Sequence, residues 1–165
     1  MVRALYDFEV FFRHEHGHLI AFLLKAGFGR SVAEENASEA MTLAYKSWGD
    51  LTNPSAWVRK VAYRLAVHEA RRERQHVHRL VEKGWAAPGS DGTELFEELE
   101  NRSAILRLLK QLPDRQRTVL AWHLEGFTNK EIATELGMPE STVRSHLRHA
   151  MARIRKIAEE GGELA

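Results

Sequence analysis

FTNKEIATELGMPESTVRSHLRHAMARIR, residues 127–155, is the stretch that decides the fold of the C-terminal part of this chain. Thr128 and Glu131 have the spacing of a capping box, in which each side chain bonds the other residue's backbone N–H at a helix start. Gly137 follows the apolar positions of that helix, where a glycine adopts the left-handed backbone that ends many helices. The stretch therefore predicts a short helix that ends in a tight turn.

A second, basic helix is predicted after the turn. Pro139 fixes φ just before it, and we expect Ser141 or Thr142 to cap it. Its apolar face comprises Val143, Leu147, Ala150, Ile154 and Ile157. The rest of its N-terminal half carries Arg144, Ser145, His146, Arg148 and His149. Two such helices form a helix-turn-helix, whose second helix enters the major groove of DNA. The alternative is an ordinary helical hairpin.

Composition excludes several classes of function. The chain has 165 residues, 44% of them hydrophobic, which suffices for one or two small domains. It has no cysteine, which excludes disulfides, thiolate zinc sites and cysteine catalysis. Residues 1–10 do not resemble a signal peptide, and the longest apolar stretch, 19–24, is too short to span a membrane. We therefore expect a cytoplasmic protein.

Helical periodicity dominates the whole chain, which predicts an all-α fold. The predicted helices are 5–26, 32–48, 54–74, 94–111, 114–125, 129–136 and 140–158. The segment GWAAPGSDG, residues 84–92, is the clearest break because it is dense in turn-forming residues. We therefore predict two small helical domains, 1–80 and 104–165, joined by a flexible linker, 81–103.

The linker is acidic, whereas the parts that it joins are basic. It carries a net charge of −4, between +3 over residues 1–80 and +5 over residues 104–157. This pattern suits two surfaces that face a polyanion and a connector that avoids it. A chance distribution of charge is the alternative.

The predicted third helix carries a second basic pattern. At 100° per residue, one face comprises Trp57, Val58, Val61, Ala62 and Leu65. The opposite face comprises Arg59, Lys60, Tyr63, Arg64, Arg71 and Arg74. Trp57 is expected in the core. Cations interleaved with an aromatic suit single-stranded nucleic acid, whose phosphates pair and whose bases stack. A solvated face with a chance tyrosine is the alternative.

Together these segments resemble a bacterial RNA polymerase sigma factor of the extracytoplasmic-function (ECF, sigma-70 superfamily) group. Residues 112–155 look like the group's C-terminal domain almost throughout. NPSAWVRKVAYRLAVHEARR, residues 53–72, looks like its promoter-melting helix, and AEENASEAMTLAYKSW, residues 33–48, is similar to its polymerase-binding helix. The resemblance keeps the family order over nearly the whole chain, so it implies sigma region 2-like and region 4-like domains.

The resemblance implies partners and residue roles. The partners would be the clamp coiled coil and flap of core RNA polymerase, promoter DNA and an anti-sigma factor, with no cofactor, no metal and no enzymatic activity. The implied polymerase-binding residues are Glu35, Glu39 and Trp48. The implied −35 residues are Arg144 and Ser145 at base edges, Arg148 at a base or a phosphate, and Thr142, Lys130, Arg115 and Arg117 at phosphates. The implied −10 residues are Arg59, Lys60, Tyr63, Arg64, Arg71 and Asn53, the last in a loop, 49–53, that would hold a flipped base.

The chain departs from the family pattern at several positions. Tyr63-Arg64 stands where the family usually has Arg-Asn, which puts the −10 preference in doubt. His146, His149 and Met151 stand where arginine is common, so fewer fixed charges should weaken phosphate affinity. Asn36 stands where the family is usually apolar.

Two other functions compete with this interpretation. One is a stand-alone helix-turn-helix regulator, which would need a phospho-acceptor or ligand domain. The other is a zinc hydrolase, because His14-Glu15-His16-Gly17-His18 matches H-E-x-x-H, with His14 and His18 as ligands and Glu15 as base. The sequence provides no obvious third ligand for zinc, and it leaves open whether the segment binds metal.

Overall fold

The computed structural model describes residues 2–84 and 104–162, and within those ranges the chain forms seven α-helices and no strand. The helices are α1 (Val2–Ala26), α2 (Arg30–Lys46), α3 (Pro54–Glu82), α4 (Ala104–Lys110), α5 (Asp114–Leu124), α6 (Asn129–Leu136) and α7 (Glu140–Gly162). The prediction of an all-α fold is confirmed.

The chain divides into two compact units. Among the described residues, one unit comprises 2–23 and 28–84, and the other comprises 24–27 and 104–162. The linker boundaries at 81 and 103 stay predictions, because nearly all of that segment lies outside the described residues. The first ten residues of the predicted helix 94–111 also lie outside them.

The N-terminal unit is built from α1, α2 and α3. Its core contains large side chains from α1 and small ones from α2 and α3, which lets the last two helices approach closely. The buried apolar residues are Leu19, Phe22, Leu23, Ala33, Ala37, Ala40, Met41, Ala44, Val58, Ala62 and Ala66. Ala33, Ala37, Ala40 and Ala44 alternate spacings of four and three, which keeps them on one face of α2.

The third helix is longer than the sequence predicted. It begins at Pro54, after Asn53 caps it, and continues to Glu82 rather than ending at 74. Residues 71–76 are all exposed, so this part of the helix has no apolar face from which a period could be read. The helix ends just before Gly84, whose φ is +85°.

In the C-terminal unit, α4, α5 and α7 pack around one apolar cluster. Leu109, Leu112, Leu120 and Ala150 are buried in it, with Leu147 and Ile154 packed against it. Trp122 is fully buried and meets Phe127 edge to face, with ring centroids 4.8 Å apart. These contacts form the apolar core of the unit that contains the two helices of residues 128–162.

Among the described residues, no helix combines the length and the apolar character that crossing a membrane would need.

Candidate nucleic-acid interface

The turn between α6 and α7 has the local geometry that the sequence predicts. The Thr128 hydroxyl accepts from Glu131 N at 3.2 Å, and the Glu131 carboxylate accepts from Thr128 N at 2.8 Å. Gly137 has φ +62° and ψ 40°, the left-handed conformation that a side chain would strain. A reciprocal cap and a left-handed glycine therefore set the start and end of α6.

The start of α7 differs from the prediction. The helix begins at Glu140, so Ser141 and Thr142 lie inside its first turn and neither is the cap. The Pro139 carbonyl accepts from Thr142 N at 3.0 Å and from Val143 N at 3.2 Å. The cap prediction was therefore wrong: Pro139 precedes the helix, its fixed φ suits a helix start, and its backbone carbonyl accepts from these N–H groups.

Helix α7 separates an apolar face from a basic one. Val143 and Ala150 are fully buried, whereas Arg144 and Arg148 are exposed. Ser145 and Thr142 are half-buried. The Arg144 guanidinium donates to Glu140 Oε1 at 3.2 Å, and both side chains remain open to solvent. The packing thus buries one side of the helix and leaves Arg144 and Arg148 at the outer surface of its N-terminal half.

The other predicted −35 cations lie on the neighbouring helices of the same unit. Arg115 and Lys130 are exposed. Arg117 is half-buried, and its Nη2 donates to Asp114 Oδ1 at 3.0 Å. Phosphate contacts need cations that solvent can reach, and these three side chains meet that requirement.

Arg59 is not on an exposed basic face, and this part of the prediction was wrong. Its residue is 9% exposed, and its Nη1 donates to Glu15 Oε2 of α1 at 2.8 Å. The same nitrogen also donates to the Ser55 carbonyl at 3.0 Å. The apolar face of α3 is rotated from the predicted one towards Val58, Ala62 and Ala66, which brings Arg59 inside.

The carboxyl group of Glu15 is held ionised by this arrangement. Burial alone would raise its pKa, but hydrogen bonds from Arg59 and Ser55, the charge of Arg59 and a hydrogen bond with His14 together hold the pKa below its ordinary value. Glu15 follows Phe11 by four residues and precedes Leu19 by four, which places it on the buried face of α1. That spacing is the sequence signal that could have identified Glu15 as a buried partner.

The remaining residues of the predicted −10 face are more accessible. Lys60 and Tyr63 are half-buried, and Arg64 and Arg71 are exposed. The Tyr63 ring packs against Phe28, with centroids 5.7 Å apart, so its position is fixed.

Two other residues of this region, Trp57 and Asn53, were also predicted from the sequence. Trp57, expected in the core, is only half-buried. Asn53 Oδ1 accepts from Ala56 N at 3.1 Å and caps α3. Asn53 therefore fixes the helix start beside the predicted base-holding loop.

The predicted polymerase-binding residues belong to α2 and the turn after it. Glu35 and Glu39 are exposed, whereas Trp48 is half-buried. The Trp48 ring packs against Phe8 and Phe11, at 5.2 and 4.9 Å between centroids. Asn36, between the two acids, is buried and donates to the Val32 carbonyl at 2.8 Å and to Glu69 of α3. This polar bond explains how a buried position accommodates an amide.

The segment His14-Glu15-His16-Gly17-His18 does not form a hydrolytic zinc site. Glu15 faces Arg59 in the interior, while His14 and His18 are exposed, so the carboxylate cannot serve as base for a metal held by the two rings. Across residues 2–84 and 104–162, no cluster of three or more potential ligands is suited to hold a metal.

Known proteins resemble this chain in sequence over both of its units. Residues 102–154 match the family described as Sigma-70, region 4. The ECF RNA polymerase sigma factor RpoE of Cereibacter sphaeroides is 28% identical, over 94% of this chain and 92% of its own length. The RNA polymerase sigma-H factor of Pseudomonas aeruginosa is 32% identical, over 77% of this chain and 73% of its own length.

The fold also has a solved counterpart. The sigma factor RpoE of Bartonella quintana, in complex with the anti-sigma factor NepR, superposes with a TM-score of 0.65 at 18% identity. The similarity covers 93% of this chain and 97% of that one.

Proposed function

Because the chain belongs to the extracytoplasmic-function group of RNA polymerase sigma factors, we propose a division of labour between its two units on promoter DNA. Members of this group are initiation factors that bind core RNA polymerase and direct promoter-specific transcription. The C-terminal unit reads the −35 element as duplex, and the N-terminal unit captures the melted −10 strand. The protein acts through binding rather than catalysis, and it acts in the cytoplasm.

One observation carries the proposal for the −35 element. Helix α7 buries Val143 and Ala150 and keeps Arg144 and Arg148 exposed near its N-terminal half, after a left-handed turn at Gly137. Arginine is the side chain that most often reads guanine in the major groove, and the N-terminal part of a recognition helix approaches base edges. Arg144 and Ser145 therefore read bases, and Arg148 contacts a base or a phosphate one turn later.

Phosphate contacts come from the cations around that helix. Arg115, Arg117 and Lys130, with Thr142, hold the sugar–phosphate backbone and set the register without reading sequence. Because His146 and His149 stand where the family commonly has arginine, we expect a shallower salt dependence than an all-arginine helix would give.

The N-terminal unit captures the −10 strand with the accessible residues of α3. Lys60, Arg64 and Arg71 pair with phosphates, and the ring of Tyr63 provides a stacking surface. Arg59 is left out of this set, because its guanidinium is buried against Glu15. Asn53 holds the start of α3 beside the loop that accepts a flipped base.

Core polymerase binds the exposed acidic side of α2. Glu35 and Glu39 contact the clamp coiled coil, and Trp48 completes this surface from the turn after α2. The C-terminal unit contacts the flap. The acidic segment 81–103 passes through the channel that RNA later occupies, where like charge makes it displaceable.

An anti-sigma factor is a further partner. The Bartonella quintana protein was solved with one, and the fold is shared, which supports an inhibitor that covers the polymerase-binding surfaces of this chain too.

Transcription in vitro tests the function directly. Core polymerase with this protein should start transcription at defined sites on genomic fragments, whereas core polymerase alone should not. A sigma factor of known activity serves as the positive control. Absence of any start site, with that control active, would count against the proposed function.

Glu39→Arg tests the polymerase-binding surface. The exchange should abolish binding to core polymerase and leave the helical content unchanged, because Glu39 is exposed. Glu159→Arg is the matched control, since it makes the same exchange at an exposed acid of α7. An equal loss of core-polymerase binding in both variants would indicate a general effect of charge and would contradict a specific binding surface at Glu39.

A further inference from the structure

The histidines of residues 14–18 play no part in the proposed promoter function, yet the rings of two of them lie side by side. His14 and His18 lie one turn apart on α1, both exposed, with ring centroids 5.3 Å apart. Residues four apart on a helix share a face, so both rings extend from the same side into solvent. His16 faces elsewhere: its Nε2 forms a hydrogen bond with Ser38 of α2 at 3.0 Å.

The separation of the two rings suits a shared metal ion. With metal–nitrogen bonds of about 2.1 Å and a roughly tetrahedral angle at the metal, two ligating imidazole centroids lie about 5 Å apart. The observed 5.3 Å agrees with this spacing without any movement of the helix.

A buried carboxylate orients one of the two rings. His14 Nδ1 lies 3.1 Å from Glu15 Oε1. This contact occupies Nδ1 of His14, so the other ring nitrogen, Nε2, is the one left for a metal ion. Glu15 is itself anchored by Arg59 at 2.8 Å. A carboxylate that holds the non-ligating nitrogen is the usual support of a metal-binding histidine, since it fixes the ring and raises its basicity.

We propose that His14 and His18 form a surface site for a divalent transition-metal cation of the zinc or nickel type. His14 ligates through Nε2, His18 provides the second imidazole, and water completes the coordination. Imidazole ligands favour zinc, copper and nickel over magnesium and calcium, which prefer oxygen. The absence of a third protein ligand among the described residues makes the site open and exchangeable.

Calorimetric titration of untagged, metal-free full-length protein with zinc chloride tests the proposal. We expect one equivalent of zinc to bind ahead of weaker sites. His14→Gln and His18→Gln should each weaken that binding at least about tenfold. His16→Gln is the matched control from the same segment, and it should leave the affinity unchanged. Zinc binding that His14→Gln and His18→Gln do not weaken would belong to other surface histidines and would overturn the proposal.

Nitrogen chemical shifts of the histidine rings provide a second readout. On addition of one equivalent of zinc, the resonances of His14 Nε2 and of one His18 ring nitrogen should shift, while those of His16 and His149 stay. Shifts of all rings in parallel would indicate non-specific binding and contradict the proposal. Because neither experiment uses polymerase or promoter DNA, the outcome is independent of the proposed promoter function.

Discussion

Arg59 of α3 and Arg144 of α7 each form an ion pair with a glutamate, but in opposite surroundings. Arg59 meets Glu15 at 2.8 Å, both side chains are 11% exposed, and 44 residues separate the partners. Arg144 meets Glu140 at 3.2 Å, the side chains are 61% and 47% exposed, and the partners are one helical turn apart.

The difference determines what each arginine can do. A buried cation has lost its hydration, so it depends on its partner and cannot leave it cheaply. An exposed pair contributes little to stability, because water and salt screen it. Arg144 can therefore exchange Glu140 for a base or a phosphate, whereas Arg59 is committed to holding α1 against α3.

The largest expected effect comes from breaking the buried pair. Arg59→Ala leaves the buried carboxyl group of Glu15 without its cation, so the free energy of unfolding of the N-terminal unit should fall by about 3–5 kcal/mol. Urea denaturation and hydrogen exchange of the α1 and α3 amides would measure it. The exposed Arg71→Ala is the control, with a change of about 0.5 kcal/mol or less. A similar small change in Arg59→Ala would contradict the assigned role.

Replacing both partners separates stability from DNA contact. The double variant Glu15→Met, Arg59→Met should have a urea midpoint of unfolding at least as high as that of the native chain. Apolar side chains of similar size often replace a buried ion pair without loss of stability. Transcription from a recognised promoter should persist. If the double variant is stable but no longer melts the promoter, Arg59 contacts the −10 strand after all.

The exposed arginine should affect DNA binding and not folding. Arg144→Ala removes the proposed base contact and should weaken binding of the polymerase complex to its −35 element by about 1–3 kcal/mol. Binding to promoters altered in the −35 element should change less, so discrimination falls. Arg153→Ala, also exposed on α7, is the control. An equal loss of affinity for all −35 sequences would mean that Arg144 contacts a phosphate and not a base.

The capping box makes a smaller contribution, this time to folding of the C-terminal unit. Thr128→Ala removes the acceptor of Glu131 N and should lower the free energy of unfolding by about 1 kcal/mol. Thr134→Ala is the control: the Thr134 hydroxyl only donates to a carbonyl within the same helix, and alanine favours helix. Thermal denaturation of both variants compares them, and an equal effect would argue against the cap.

The smallest expected effect comes from the exposed pair itself. Glu140→Ala should change the free energy of unfolding by less than about 0.5 kcal/mol. If α7 binds DNA as proposed, DNA affinity should rise slightly, because a negative charge is removed from that helix and Arg144 loses its competing partner. Glu160→Ala removes the partner of Lys156 at the far end of α7 and serves as the control. Weaker DNA binding in Glu140→Ala would mean that Glu140 positions Arg144 for the DNA.

Local chemistry accounts for the parts that the sequence predicted. The limits of α6 follow from Thr128, Glu131 and Gly137, which act on backbone groups within a few residues, and so they could be read in order along the chain. The apolar face of α7 follows from its 3.6-residue period. The cap of α7 was missed because Pro139 fills that position through its ring rather than through a side-chain acceptor.

Long-range contacts account for the parts that were missed. Arg59 looked like its neighbours Lys60 and Arg64 until α1 placed Glu15 beside it. A helical period predicts which residues share a face, but not the angle at which that face meets another helix. In the structure, Val58, Ala62 and Ala66 form the buried face of α3, which places Arg59 beside Glu15 of α1 and leaves Trp57 half-buried.

The sequence by itself determined that the chain is helical, that residues 128–155 form a helix-turn-helix, and that it resembles a sigma factor, since caps, glycine and period act over short distances. Only the tertiary structure decided which cations are available to DNA. Exposure depends on which helices pack together, and a charge taken out of water is held by a partner that the local sequence does not contain.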